Sequence, residues 1–269
     1  MLVLSLFPGI GLLDTAFEME GFCVVRGPDA LWGGDIHQFR PPAGKFDGVI
    51  GGPPCQAFSR LRYLNPLAGQ RHGNLIPEFE RCVIEANPTW FLMENVPDAP
   101  IPFGQRCKMQ PLSDQAAFNR PGPIEDYYEV HSIILNNRWL GEVQDRTRRF
   151  CFGTKDGREL LPEIAVFESP QYEQAVTRSA RAVPVKIGGS GKVKRTYTED
   201  GKRHGPSQGP RANIGRMLEL QGLPADYLDD TPFTDAGKRL LIGNGVPLPM
   251  GRAIARAVKI ALATASTIG

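Results

Sequence analysis

The sequence predicts an α/β fold with an open sheet whose ligand site lies along the C-terminal ends of its strands. Three stretches carry that expectation. Leu2–Phe7 is an apolar run that turns at Pro8-Gly9-Ile10-Gly11 into a helical pattern, Leu12–Met19, with Leu13, Ala16 and Phe17 on one face. Gly48–Ile50 is a second apolar run, halted by Gly51-Gly52-Pro53-Pro54 directly before Cys55. Trp90–Met93 is a third, and it hands over to Glu94-Asn95-Val96. Open α/β sheets bind ligands outside the carboxyl ends of their strands, so the glycine turn, Cys55 and Glu94 are expected along one edge.

A chain of 269 residues suits one large domain, or one domain carrying a smaller one. The net charge of +2 favours no class of partner, but the distribution of charge does. Between Val176 and Arg216 ten basic residues, among them Lys192, Lys194 and Arg195, stand against Glu199 and Asp200 alone. Such a Gly- and Ser-containing stretch reads either as a solvated loop or as a segment attracted to a phosphate backbone. Five cysteines without CxxC spacing argue against a disulfide framework and against a structural zinc site, and point to a reducing compartment. The apolar start lacks a basic flank and meets Pro8-Gly9 too soon for a signal peptide or membrane span, so it is read as the first strand of a soluble protein.

The remaining elements follow in order. Gly21–Val25 is a second strand, after which Pro28-Asp29 and Gly34-Asp35-Ile36 are separated by too few residues for a helix. The segment 60–72 carries Arg60, Arg62, Arg71 and His72, and Ile76–Ala86 is a packing helix that ends before Pro88. Pro97–Asn119 reads as a loop, and Tyr127–Leu135 as a strand. Gln144-Asp-Arg146-Thr-Arg148-Arg149 leads into another strand; arginines at such positions are costly to bury unless they hold an anion or a carbonyl oxygen. Residues 155–210 match no pattern. Ile242-Gly243-Asn244-Gly245-Val246-Pro247 precedes an amphipathic helix at Pro249–Ala263.

Gly52-Pro-Pro-Cys55-Gln56-Ala-Phe-Ser59 resembles the nucleophile motif of the DNA cytosine-5 methyltransferases. Phe7-x-Gly9-x-Gly11, Gly34-Asp35-Ile36, Glu94-Asn95-Val96, Gln144-x-Arg146-x-Arg148, Arg216–Tyr227 and Gly243-Asn244-x-Val246 are similar to companion motifs in the family's order. The resemblance implies a Rossmann-like S-adenosylmethionine-dependent methyltransferase domain, a mixed sheet with helices on both faces, and a small target-recognition domain. On that basis residues 1–154 are the catalytic domain, 155–215 the target-recognition region, and 216–269 a scaffold segment and a helix returning to the catalytic domain.

It also implies the site. Cys55 would attack C6 of cytosine, Glu94 would protonate N3, and Arg146 and Arg148 would hold O2. Phe7, Gly9, Ile10, Gly11, Asp29, Asp35, Ile36, Pro54 and Asn244 would surround S-adenosylmethionine, with Asp35 accepting from the adenine amino group. Asp29 is either a ribose ligand or a turn-forming Asp. Gln56, Ser59, Arg60, Lys192, Lys194 and Arg195 would touch double-stranded DNA. No metal is expected, and a cytoplasmic monomer is. Three alternatives stay open: the same chemistry on tRNA, a DNA-binding relative that has lost catalysis, and a cysteine hydrolase, the last disfavoured because no Cys/His pairing is visible.

Overall fold

The computed structural model describes residues 1–54, 73–102, 128–165, 171–176, 184–186 and 213–263. The chain forms two compact units, one comprising 1–135, 147–162 and 252–269, the other 136–146 and 163–251.

The first unit is built on a mixed sheet of order β2-β1-β3-β4-β7-β5. Its members are β1 (Leu2–Leu6), β2 (Cys23–Arg26), β3 (Gly48–Gly51), β4 (Trp90–Asn95), β5 (Glu129–Asn136) and β7 (Thr147–Thr154). Strands β1 to β4 are mutually parallel, and β7 joins β4 antiparallel. Side chains alternate across a strand, and the aromatic residues show which helix covers which face. Trp90 stacks with Phe17 of α1 (Leu12–Met19), whereas its neighbour Phe91 meets Phe79 of α2 (Ile76–Ala86) edge to face. The α2 face buries Leu4, Val49, Phe79, Val83, Phe91, Met93 and Cys151, and each such large apolar side chain stabilises the fold by ~1.5–3 kcal/mol.

Helix α1 and helix α2 span the residues that the sequence predicts, and β4 runs two residues beyond the apolar stretch, to Asn95. After β2 the chain makes only a short 3₁₀ turn, Ala30–Trp32, as the spacing requires. The loop expected at 97–119 falls mostly outside the described residues.

The second unit holds β6 (Gln144–Asp145), β8 (Gln171–Gln174) and β9 (Pro184–Lys186) in a small sheet, with α3 (Ile214–Leu220) and α4 (Asp235–Asn244). A last helix, α5 (Leu248–Ala263), begins there, and from residue 252 it belongs to the first unit. In that unit Glu20, just past α1, accepts from Arg252 at 2.7 Å and Arg256 at 3.0 Å. Among the described residues no helix is long and apolar enough to cross a membrane.

Two glycines make the central register possible. Gly48 lies opposite Trp90, and a methyl group on it would fall 2.2 Å from the ring; Gly153 lies opposite Phe91, with the same clash at 2.1 Å. Both rings are fully buried and hemmed in by other aromatics, so neither can swing aside. Gly48→Ala is therefore expected to destabilise the first unit by at least ~1–3 kcal/mol, the usual cost of overpacking. A urea-unfolding midpoint equal to that of the parent chain would contradict this.

Candidate active site

The C-terminal ends of β1, β3 and β4 share one edge of the sheet, and the candidate residues collect there. At the end of β1 the backbone adopts positive φ at Phe7 (57°), Gly9 (56°) and Gly11 (80°). Gly11 requires its lack of a side chain for the torsion; a methyl group there would also fall 2.7 Å from the Arg26 guanidinium, which could swing aside because that side chain is half exposed. Gly9 opens onto free space, with no atom of the described residues within 4 Å of where its side chain would begin.

The Gly9 peptide is gripped from the 3₁₀ turn. Its N–H donates to Asp29 Oδ2 at 2.8 Å, and its carbonyl accepts from the Trp32 indole at 2.9 Å. Asp29 Oδ1 also accepts from the Leu31 N–H, so the carboxylate caps its own turn while facing the glycine loop. Asp35 is exposed; its Oδ1 accepts from the His37 N–H, and among the described residues Oδ2 has no partner. Ile36, next to it, is buried in the α2 face of the core. An open glycine turn flanked by two carboxylates is a donor and acceptor set that fits a nucleoside cofactor.

Across the sheet, Gly51 pairs with Met93, which brings the following Gly52 beside Glu94. Glu94 is only 8% exposed. Its Oε1 receives Arg148 Nε at 2.7 Å, and its Oε2 lies 3.0 Å from where a Gly52 side chain would begin. A substituent at position 52 would thus crowd the carboxylate. Arg148 reaches Glu94 because β7 is antiparallel: Phe150 faces Glu94, and Arg148, two residues earlier on the same face, is its diagonal neighbour.

Asn95 is a site residue to which sequence reasoning gave no role. It is buried, donates from Nδ2 to the Pro53 carbonyl at 3.2 Å and accepts from the Val96 N–H at 2.8 Å. It therefore ties the Gly52-Pro53-Pro54 turn to the end of β4. The available signal was a second polar residue at a buried strand end, which needs a partner.

Arg146 lies in the second unit and is 2% exposed. It donates to the carbonyls of Val176 (2.7 Å), Gly243 (2.8 Å) and Gly245 (2.8 Å). Asn244, the last residue of α4, is exposed between the two glycines so held. Gln221 donates to Ile242 and Gly245 of the same segment, and Gln144 donates to Leu220. The alternatives posed by the sequence are thus divided: Arg146 holds carbonyl oxygens and Arg148 holds the carboxyl group of Glu94.

Cys55, Gln56, Ser59, Arg60, Lys192, Lys194 and Arg195 lie outside the described residues. Of the described cysteines, Cys82 and Cys151 are buried, and burial pushes their thiols up to about 11 and about 12. Neither is a nucleophile at neutral pH. Among the described residues no group of three His, Cys, Asp or Glu side chains is placed to hold a metal ion.

Residues 30–209 match the family model of the C-5 cytosine-specific DNA methylases. This chain belongs to that family. It is 29% identical over 228 residues to the type II methyltransferase M.DdeI of Desulfomicrobium norvegicum, covering 73% of this chain and 52% of that one. To M.AquIA of Picosynechococcus sp. it is 30% identical over 213 residues, covering 67% and 80%. The fold matches that of the Entamoeba histolytica methyltransferase EhMeth with a TM-score of 0.60 over 97% of this chain and 98% of that one, at 11% identity. The chain spans about half the length of M.DdeI and of M.FnuDI from Fusobacterium nucleatum.

Replacing Arg146 by Met would keep the bulk and strand the buried carbonyls of Val176 and Gly243, leaving that of Gly245 to Gln221 alone, and each unsatisfied carbonyl costs ~1–3 kcal/mol. The expected outcome is a second unit at least ~2 kcal/mol less stable, read as faster hydrogen exchange at the Gly245 amide, which bonds to Leu241 and Ile242. Unchanged exchange there would show that the clasp carries no stability.

Proposed function

We propose that this chain transfers a methyl group from S-adenosylmethionine to C5 of cytosine in DNA, through a covalent bond between Cys55 and C6 of a base rotated out of the helix. The observation that carries the proposal is the Arg148–Glu94 pair set against the Gly52-Pro53-Pro54 turn, which leads straight into Cys55. Membership of the C-5 cytosine methylase family supports the reaction class.

Cytosine C5 is a poor nucleophile until something has added across the 5,6 bond. The Cys55 thiolate forms the S–C6 bond, and the π electrons of C5=C6 move to C5 and into the ring. Glu94 places a proton at N3 and so absorbs the negative charge that addition creates. Arg148 helps to orient the carboxyl group that does this, through the contact of its Nε with Oε1. S-adenosylmethionine, when bound, supplies an electrophilic methyl group on its sulfonium sulfur. Once C5 carries that methyl group, loss of the C5 proton to a base restores the 5,6 double bond as Cys55 departs as thiolate, and N3 returns its proton to Glu94, leaving 5-methylcytosine.

The glycine turn Phe7–Gly11, Asp29, Asp35, Ile36 and Pro54 are the residues assigned to the cofactor, with Asp35 receiving the adenine amino group. The substrate-facing arginine is Arg148, and Arg146 is a positioning residue. Gln56, Ser59, Arg60 and the basic stretch around Lys192, Lys194 and Arg195 are assigned to DNA, where phosphate contacts offset the few kcal/mol of unstacking the target base.

Transfer of a labelled methyl group to matched DNA and tRNA substrates tests this directly. Wild-type chain is expected to label DNA, Cys55→Ala to label nothing while still binding DNA, and Glu94→Gln to be slower by about two to four powers of ten. Turnover by Cys55→Ala would remove the covalent mechanism, and labelling of tRNA alone would move the substrate. Replacing Lys192, Lys194 and Arg195 with Gln is expected to weaken DNA binding and to flatten its salt dependence by up to about three charges' worth. An identical slope in a salt titration would place that stretch off the DNA.

A further inference from the structure

We propose that Arg81 of α2 is the positioning residue of the adenine corner, the template on which the turn carrying Asp35 is folded. The proposal rests on the reading of Asp35 as the acceptor for the adenine amino group.

Within α2, Glu78 and Glu85 flank Arg81 at i−3 and i+4, accepting from Nε and Nη1 at 2.8 Å each. An ordinary helix-surface ion pair would end there. The guanidinium instead turns its remaining edge to the chain 42–45 residues earlier, donating from Nη2 to the Ile36 carbonyl at 2.7 Å and from Nη1 to the Phe39 carbonyl at 3.1 Å. These two bonds do nothing for α2. Their effect is on the turn.

The other contacts of residues 35–40 point the same way. Arg40 donates to the carbonyls of His37 and Phe39 at 2.8 Å each, and its Nε lies 3.9 Å from Glu85. His37 Nδ1 lies 3.4 Å from Glu78. Three successive carbonyls or near neighbours, those of Ile36, His37 and Phe39, are thereby claimed by two arginines. Ile36 is buried in the core beneath, which leaves Asp35 on the exposed side, its Oδ1 spent on the His37 N–H and its Oδ2 without a partner among the described residues. The carboxylate is aimed by the turn, and the turn is held by Arg81. Glu78 responds accordingly: burial pushes it up, but hydrogen bonding and charge from Arg81 outweigh that and hold its carboxyl below the ordinary value. Lysine could not substitute, because one ammonium cannot span two carbonyls and two carboxylates as a planar fork does.

The test is calorimetric titration of the full chain with S-adenosylhomocysteine and with the same molecule lacking its 6-amino group. The parent chain should bind the amino compound about tenfold more tightly, the value of one hydrogen bond. Asp35→Ala should erase that preference, and Arg81→Ala and Arg81→Lys should each reduce it below about threefold. A loosened core would weaken both ligands equally and leave the ratio at its parental value. That result in both Arg81 variants would overturn the proposal while leaving Asp35 as the acceptor. If Arg81→Ala does not fold, Arg81→Lys decides alone. Equal binding of the two ligands by the parent chain would overturn the Asp35 reading and the role of Arg81 with it.

Discussion

The antiparallel register between β4 and β7 is the constraint on which the site depends. Parallel strands β1, β3 and β4 bring their C-terminal ends to one edge, and that edge by itself supplies a glycine turn, a proline turn and a buried carboxylate. It does not supply a cation. Arg148 stands near the N-terminal end of its strand, and a parallel neighbour would have left that end at the far side of the sheet, on the order of 15–20 Å away for strands of this length. Because β7 runs the other way, its start coincides with the end of β4, and Arg148 arrives diagonal to Glu94. A slip of one residue would send Arg148 to the opposite face and offer Arg149 in its place.

Fixing that register demands close backbone approaches, and glycines meet the demand at three points. Gly48 and Gly153 accept the rings of Trp90 and Phe91 from the strand between them, so β3, β4 and β7 lock through complementary shapes on both faces. Gly52 does the same for Glu94 just beyond β3. A buried carboxylate is expensive unless it is paired, and Arg148 offsets the cost only where geometry is good. A well-packed apolar pair often serves stability as well, and in the proposed reaction the ion pair at the ligand edge has a chemical use.

Much of this was legible because local patterns carry it. The spans of α1 and α2 follow from apolar spacing and from the breakers beside them, and the glycine turn from Gly9 and Gly11. The apolar run of β4 stops at Met93, and Glu94 and Asn95 look like loop residues in the sequence. They remain in the strand because Arg148 and the Pro53 carbonyl satisfy them, and neither partner is near in sequence. The same limit hid the two clasps. Arg146 reaches carbonyls 30 to 99 residues away, and Arg81 reaches carbonyls more than 40 residues before it. A carbonyl acceptor leaves no mark in the sequence, because every residue has one. So α2 read as a packing helix, although one of its arginines holds the turn of Asp35.

The arginines of Arg146-Thr147-Arg148-Arg149 divide their work by what they hold. Arg146 is locked by three carbonyls, and Arg149 donates to the Pro97 carbonyl. Backbone carbonyls hold such a residue in one place by the geometry of its fork. Arg148 differs: its Nε is on Glu94 and its Nη1 on the Thr147 carbonyl, while Nη2 has no partner among the described residues. In the proposed reaction negative charge spreads from C5 through N3 to O2 of the base. A guanidinium already coupled to the proton donor, with a donor to spare, can meet that charge without first being reoriented, which is the condition under which electrostatic stabilisation costs least.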